Sequence, residues 1–203
     1  YGWLTILDSG AIEQINQLQQ QPGGRIVHNK ATYLTVQVIK NYLAHFSPNF
    51  LFIKGGTHYQ FSVPDHGLIY LVFLPFFYIG FYFLVKNISL PESKVILTWL
   101  LMAAIPGSLT RDAPHPLRAI FILPPILMLI IIGVSHYYVR FGKWAGHLLE
   151  IVLFILVGIY FYRSFGSYTT SYSWAWQYGY KQSVQYIKSQ YNNYDQIIFT
   201  KRY

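Results

Sequence analysis

Four apolar runs fill the middle of this chain, at 67–85, 95–109, 119–135 and 147–162, separated by short polar turns. A helix rises about 1.5 Å per residue, so the nineteen residues of the first run reach roughly 28 Å, enough for a hydrocarbon core. With 53% hydrophobic and only 11% charged residues, its composition is that of a membrane protein, and its 19% aromatic content suits wide interfacial belts. Pro75 and Gly80 read as kinks in the first run, which membrane helices tolerate; the second run contains Pro106-Gly107, and Pro124-Pro125 lie near the start of the third. The expected fold class is mainly α, a polytopic helical membrane protein of about four transmembrane helices, followed by the start of a small extracytoplasmic α/β segment.

This divides the chain into 1–66, 67–163 and 164–203. In the first part, Asp8 and Ser9 cap a helix running to about Gln21, ended by Pro22-Gly23-Gly24. A second helix fits 31–46, with Leu34, Val38 and Tyr42 along one face, Ile39, Leu43 and Phe46 beside it, and Lys40 and Asn41 elsewhere. It is too polar to span and reads as lying on the membrane surface or packed under a loop. Residues 50–53 are a short apolar segment before the turn Lys54-Gly55-Gly56. Beyond the fourth run, Tyr160, Phe161, Tyr162, Tyr168, Tyr172, Trp174 and Trp176 form an aromatic belt. The belt residues 172–176 also suit stacking on a sugar. A helix near 176–190, with Tyr180, Val184, Ile187 and Tyr191 on one face, leads into a strand at 195–200. The chain opens on Tyr1-Gly2-Trp3 without a methionine or signal peptide, and both ends read as cuts in a longer protein.

Charge sets the expected sidedness. The net charge of +8 is dispersed, with no basic stripe for nucleic acid, and points instead to anionic membrane lipids or a phosphate-bearing lipid. Lys86, Lys94, Arg140 and Lys143 lie in the two turns at 86–94 and 136–146, which the positive-inside rule places in the cytoplasm. The segments 1–66, 110–118 and 163–203 then lie outside it. On this topology the acceptor pattern Asn87-Ile88-Ser89 faces the cytoplasm and carries no glycan. Glu150, near the cytoplasmic end of the fourth run, snorkels or pairs with Lys143. The absence of cysteine excludes disulfides and thiolate metal sites.

One turn concentrates chemistry: Thr110-Arg111-Asp112-Ala113-Pro114-His115-Pro116-Leu117-Arg118, held between two apolar runs. Charge at a membrane boundary is costly unless it serves topology, pairing or a ligand. Arginine presents a forked set of donors to phosphate oxygens. Arg118, at the start of the third run, is the first candidate for holding a phosphate, with His115 and Arg111 next and Asp112 as the group that orients an arginine. The plainer reading is that both arginines anchor helix ends at the interface. A second group, His45, His58, Asp65 and His66, falls in the first external segment. A divalent metal, contact with substrate or acceptor, and an ordinary loop role all remain open for it, since its spacing matches no strong metal motif. Lys54 reads either as a phosphate contact or as a solvated turn lysine. Gly55-Gly56 is a turn and not a phosphate loop, because no Gly-Lys-Ser/Thr follows.

The stretches Asn29-Lys30, 41–56 (Asn-Tyr-Leu-Ala-His-Phe-Ser-Pro-Asn-Phe-Leu-Phe-Ile-Lys-Gly-Gly), Ser62-Val63-Pro64-Asp65-His66-Gly67 and Asp112-Ala113-Pro114-His115-Pro116-Leu117-Arg118 resemble the second half of bacterial glycosyltransferase family 39 proteins. These are similar to protein O-mannosyltransferases and to the aminoarabinose transferases of lipid A. The resemblance covers roughly residues 8–200, and Pro116 stands where the family often has alanine. It implies a multi-span GT-C fold in the bacterial inner membrane, with its active face outside the cytoplasm. It implies inverting transfer of a sugar, a mannose-like hexose among the possibilities, from a polyprenyl-phosphate carrier to an unidentified acceptor. It implies no cofactor, and a catalytic carboxylate in a first external loop ahead of the quoted motifs. Such a reaction needs a base for the acceptor hydroxyl and cations for the departing phosphate, of which these residues offer the second. A transporter or flippase of lipid-linked sugars would use kinked helices too, but calls for ionisable residues within the spans, which are nearly free of them. A non-catalytic membrane anchor would not concentrate charge at 110–118.

Overall fold

The structure, a computed structural model, describes residues 6–198 apart from Gly23 and Asp195. It is mainly helical, and no strand occurs among the described residues. The helices are α1 (Ser9–Leu18), α2 (Gly24–Val27), α3 (Lys30–Ala44), α4 (Leu74–Lys86), α5 (Pro91–Ala103), α6 (Ile105–Ser108), α7 (Leu123–Phe141), α8 (Lys143–Arg163), α9 (Thr169–Tyr172) and α10 (Tyr180–Gln190). Residues 1–156 and 157–203 form two compact units, with the boundary inside α8.

Capping chemistry sets the first helices. The Asp8 carboxylate accepts the Ala11 N–H at 2.7 Å, and the Asn29 side chain accepts that of Thr32 at 3.0 Å. The prolines then mark where the apolar helices begin. Pro75, Pro91, Pro106 and Pro124 all fall within a first turn, where a missing N–H costs nothing. Pro75 therefore starts α4 and does not kink it. Pro106 opens α6, so the expected run 95–109 is cut after Ala103.

The first unit's core gathers Phe50, Leu51 and Phe52 with Phe76, Leu84, Leu100, Ile122, Ile126 and Leu129. The short apolar segment before Lys54 is one π-type turn, Asn49–Ile53, driven into this core. α4 and α7 approach through two glycines. A Cβ on Gly80 would strike the Leu129 backbone, and one on Gly133 the Phe76 backbone. Small residues that let backbones meet are the usual means of packing helices in lipid, where apolar burial drives little.

Two helical runs are long and apolar enough to cross a membrane: Ile120–Phe141, of 22 residues, and Lys143–Trp176, of 34. The first expected span is shorter than the sequence indicates, because residues 67–70 are not helical and the helix covers Leu71–Lys86. The expected polar turn at 136–146 shrinks to Gly142, whose φ of +78° breaks the chain between α7 and α8. Glu150 meets His147, at 3.1 Å, and not Lys143.

In the second unit, α8 passes through a π-type turn (Ser164–Tyr168), α9 and a 3₁₀ turn (Ser173–Trp176). Gln177 and Gly179, both at positive φ, end that run before α10. The expected strand at 195–200 is not present in 196–198, and its remaining residues lie outside those described.

Candidate functional site

The 110–118 turn is clamped onto the C-terminal half of α3. Asn41, buried on the inward side of that helix, donates through its amide nitrogen to Ser108 O at 3.1 Å and Thr110 O at 3.0 Å. One turn on, His45 is fully buried between Asn41 and the 110–118 turn. The backbone N–H of His115 can only donate, so Nε2 of His45 accepts it, at 3.3 Å. The imidazole proton therefore sits on Nδ1, which donates to Asn41 O at 2.8 Å. Burial lowers the pKa of His45, in keeping with a neutral ring. Gly107 lets this ring lie close, since a Cβ there would come 2.6 Å from Nε2. With both nitrogens engaged, His45 has no group left for the substrate or acceptor contact that the sequence suggests.

The two clusters expected from the sequence meet here in part. The rings of His58 and His115 lie 4.8 Å apart, and that of Phe61 lies 5.3 Å from His115. His58 Nε2 stands 3.9 Å from Asp112 Oδ2, within ion-pair reach when the imidazole is protonated. Asp112 thus faces a histidine and not the arginine it was expected to orient. His115 is buried, and its pKa is pushed down to about 4, first by burial and then by the Arg118 and His58 charges, against a smaller upward pull from Asp112. It is neutral at physiological pH and adds no charge for a phosphate.

Arg111 is committed elsewhere, to Asp8 at 2.6 Å. That leaves Arg118, half-buried, as the turn's remaining arginine. Its Nη1 donates to Thr110 Oγ1 at 2.9 Å, and its backbone N–H to His115 Nδ1 at 3.4 Å. Among the described residues the guanidinium meets this one hydroxyl, which engages one of its five N–H donors.

Lys54 and Asp65 sit apart from Arg118, on an open cavity of about 490 Å³ that also touches Tyr59 and Pro114. The turn between them is tight. Gly55, at a φ of +73°, has no room for a Cβ against His66 O and Ser62 Oγ, and Gly56 lies against Pro116. Gly56 N–H donates to Ser62 Oγ at 3.0 Å, and His66 Nδ1–H donates to Gly67 O at 2.7 Å. Among the described residues, no group of three or more His, Asp or Glu side chains converges as metal ligands would.

No known protein family, curated protein or solved structure matches this chain. What the site offers chemically is read from its own residues: a cation braced at a helix entrance, a neutral buried histidine behind it, and a histidine–aspartate pair at its edge. Sequence reasoning passed over three members of this arrangement. Asn41 reads as lying off the apolar faces of its helix, Asp8 as a cap and not as a partner of Arg111, and Thr110 as part of the turn with no role of its own. Only the buried position of Asn41 had a signal, lying at i−4 from His45 on one helix face.

Proposed function

We propose that this chain belongs to an integral-membrane glycosyltransferase that moves a sugar from a polyprenyl-phosphate carrier to an acceptor outside the cytoplasm. α7 and α8 cross the bilayer in this reading. α4 and α5 are shorter embedded helices, whose length the bilayer accommodates by local thinning. The observation that carries the proposal is the placing of Arg118. It stands two residues before the 22-residue apolar run Ile120–Phe141, with its guanidinium braced by Thr110, and if that run crosses the bilayer this end of it falls at headgroup depth. A guanidinium in that position stabilises charge as it develops on a departing lipid phosphate. His115 and Asp112 shape its surroundings, and the catalytic carboxylate is expected in an external loop that the family-like motifs do not include.

The test uses the full-length protein with Arg118→Ala and Arg118→Lys at matched expression and thermal stability. A partly buried charge-assisted bond to phosphate contributes about 1.5–3 kcal/mol, so alanine is expected to weaken donor binding and transfer roughly tenfold to a hundredfold. Lysine keeps the charge but loses the fork, and should recover only part of this. Full recovery by lysine would reduce Arg118 to an interfacial anchor, and unaltered binding in the alanine variant would sink the phosphate role.

A further inference from the structure

We propose that the outward face of α2 and α3 docks on an anionic phospholipid surface, so that one helix joins the membrane interface to the 110–118 turn. α3 turns polar side chains toward the site turn and leaves apolar ones on its other side, the reverse of a helix laid over an apolar core. Its inward face carries Asn41 and His45. At about 100° per residue, Val36, Ile39 and Leu43 fall within an arc of about 60° on the opposite side. These three remain 45%, 52% and 62% exposed, and Ile26 of α2 is 90% exposed. A groove of about 360 Å³ lies between α1, α2 and α3, with Val27, Val36 and Lys40 among its walls.

Charge identifies what covers this face. Residues 14–53, which hold α2 and α3, contain Arg25, Lys30 and Lys40 and no Asp or Glu. Lys40 flanks the exposed stripe, and Arg25 adjoins Ile26. Apolar side chains rimmed by lysine and arginine suit a layer of acyl chains below phosphate headgroups. A second copy of the chain would bring like charges face to face, which opposes docking. The proposal rests on membrane residence and is independent of sugar transfer.

The chain has no cysteine, so single cysteines at Ile39, Leu43 and, in α7, Ile131 can each carry a fluorophore. The labelled full chain is placed in nanodiscs of phosphatidylcholine alone or with about 30% phosphatidylglycerol, a content that gives a negative surface potential. Quenching by a lipid-attached and by a water-soluble quencher is then compared. At Ile39 and Leu43, lipid quenching should rise at least about twofold in the anionic discs, while aqueous quenching falls. Each of Arg25→Gln and Lys40→Gln should weaken this docking about fivefold. Aqueous access at Ile39 and Leu43 in both lipids, with Ile131 quenched by lipid, would overturn the docking and leave the membrane reading intact. If Ile131 is also accessible to water, both fail. Protection that appears only with two chains per disc would assign the face to a protein partner and overturn the lipid proposal.

Discussion

Asn41 donates to two carbonyls of the segment that leads into the site turn, and accepts from Gln37 at 3.0 Å. Leucine has a similar volume but leaves those buried carbonyls without a partner, at about 1–3 kcal/mol for each orphaned group. Asn41→Leu should therefore lower the thermal midpoint in detergent more than Gln37→Leu does, and should impair any function of Arg118 through the displaced turn. Equal midpoints for the two variants would show that Asn41 does not hold the turn. His115 makes a pH prediction with a definite sign. Its folded pKa, about 4, lies below the ordinary value of 6.5, so between these values the unfolded chain binds more protons. Stability should be fully present above about pH 6.5 and fall as pH drops toward 4. The slope of midpoint against pH should flatten in His115→Gln, with a residue left by His45, which burial shifts the same way. An unchanged slope in that variant would mean that His115 is not buried as described.

At the scale of elements, the contact of α4 with α7 depends on two missing side chains. Gly80→Ala and Gly133→Ala each push a methyl group into opposing backbone, which cannot rotate away. Overpacking of this kind costs about 1–3 kcal/mol. Gly158 in α8 is the control, because a Cβ there meets nothing. Alanine at that position should stabilise the helix by about 0.5–1 kcal/mol through its better helix propensity. Thermal unfolding in one detergent should order the variants with Gly158→Ala at or above wild type and the other two below it. Comparable losses at all three glycines would argue against the close approach of α4 and α7.

For the whole molecule, the proposed sidedness places the 110–118 turn outside the cytoplasm and the turn at 86–94 inside. Ser108 is buried, so a probe there would report packing and not sidedness; Leu117 and Ser89 are exposed. With cysteine at either position, an impermeant thiol reagent should label Leu117→Cys in intact cells and Ser89→Cys only after permeabilisation. The reverse pattern would invert the topology and remove the external site with it.

Local chemistry made some of this fold legible in the sequence alone. The cap at Asp8, the helix α3 and the apolar character of α7 and α8 depend on neighbours three or four residues away, and appear in order along the chain. The gathering of charge at 110–118 was equally plain. Helix ends were less so, because a proline reads alike as a kink or a start until the residues before it are seen to be helical or not: Pro75 proved to be a start. Only the tertiary structure decided which charges are spent. Arg111 turns to Asp8 across about a hundred residues of sequence, His45 closes on the backbone of His115, and Asp112 faces His58. Such pairings depend on which segments the core draws together. No periodicity records them, because a titratable side chain carries the same letter whether it is paired, buried or left to meet a ligand.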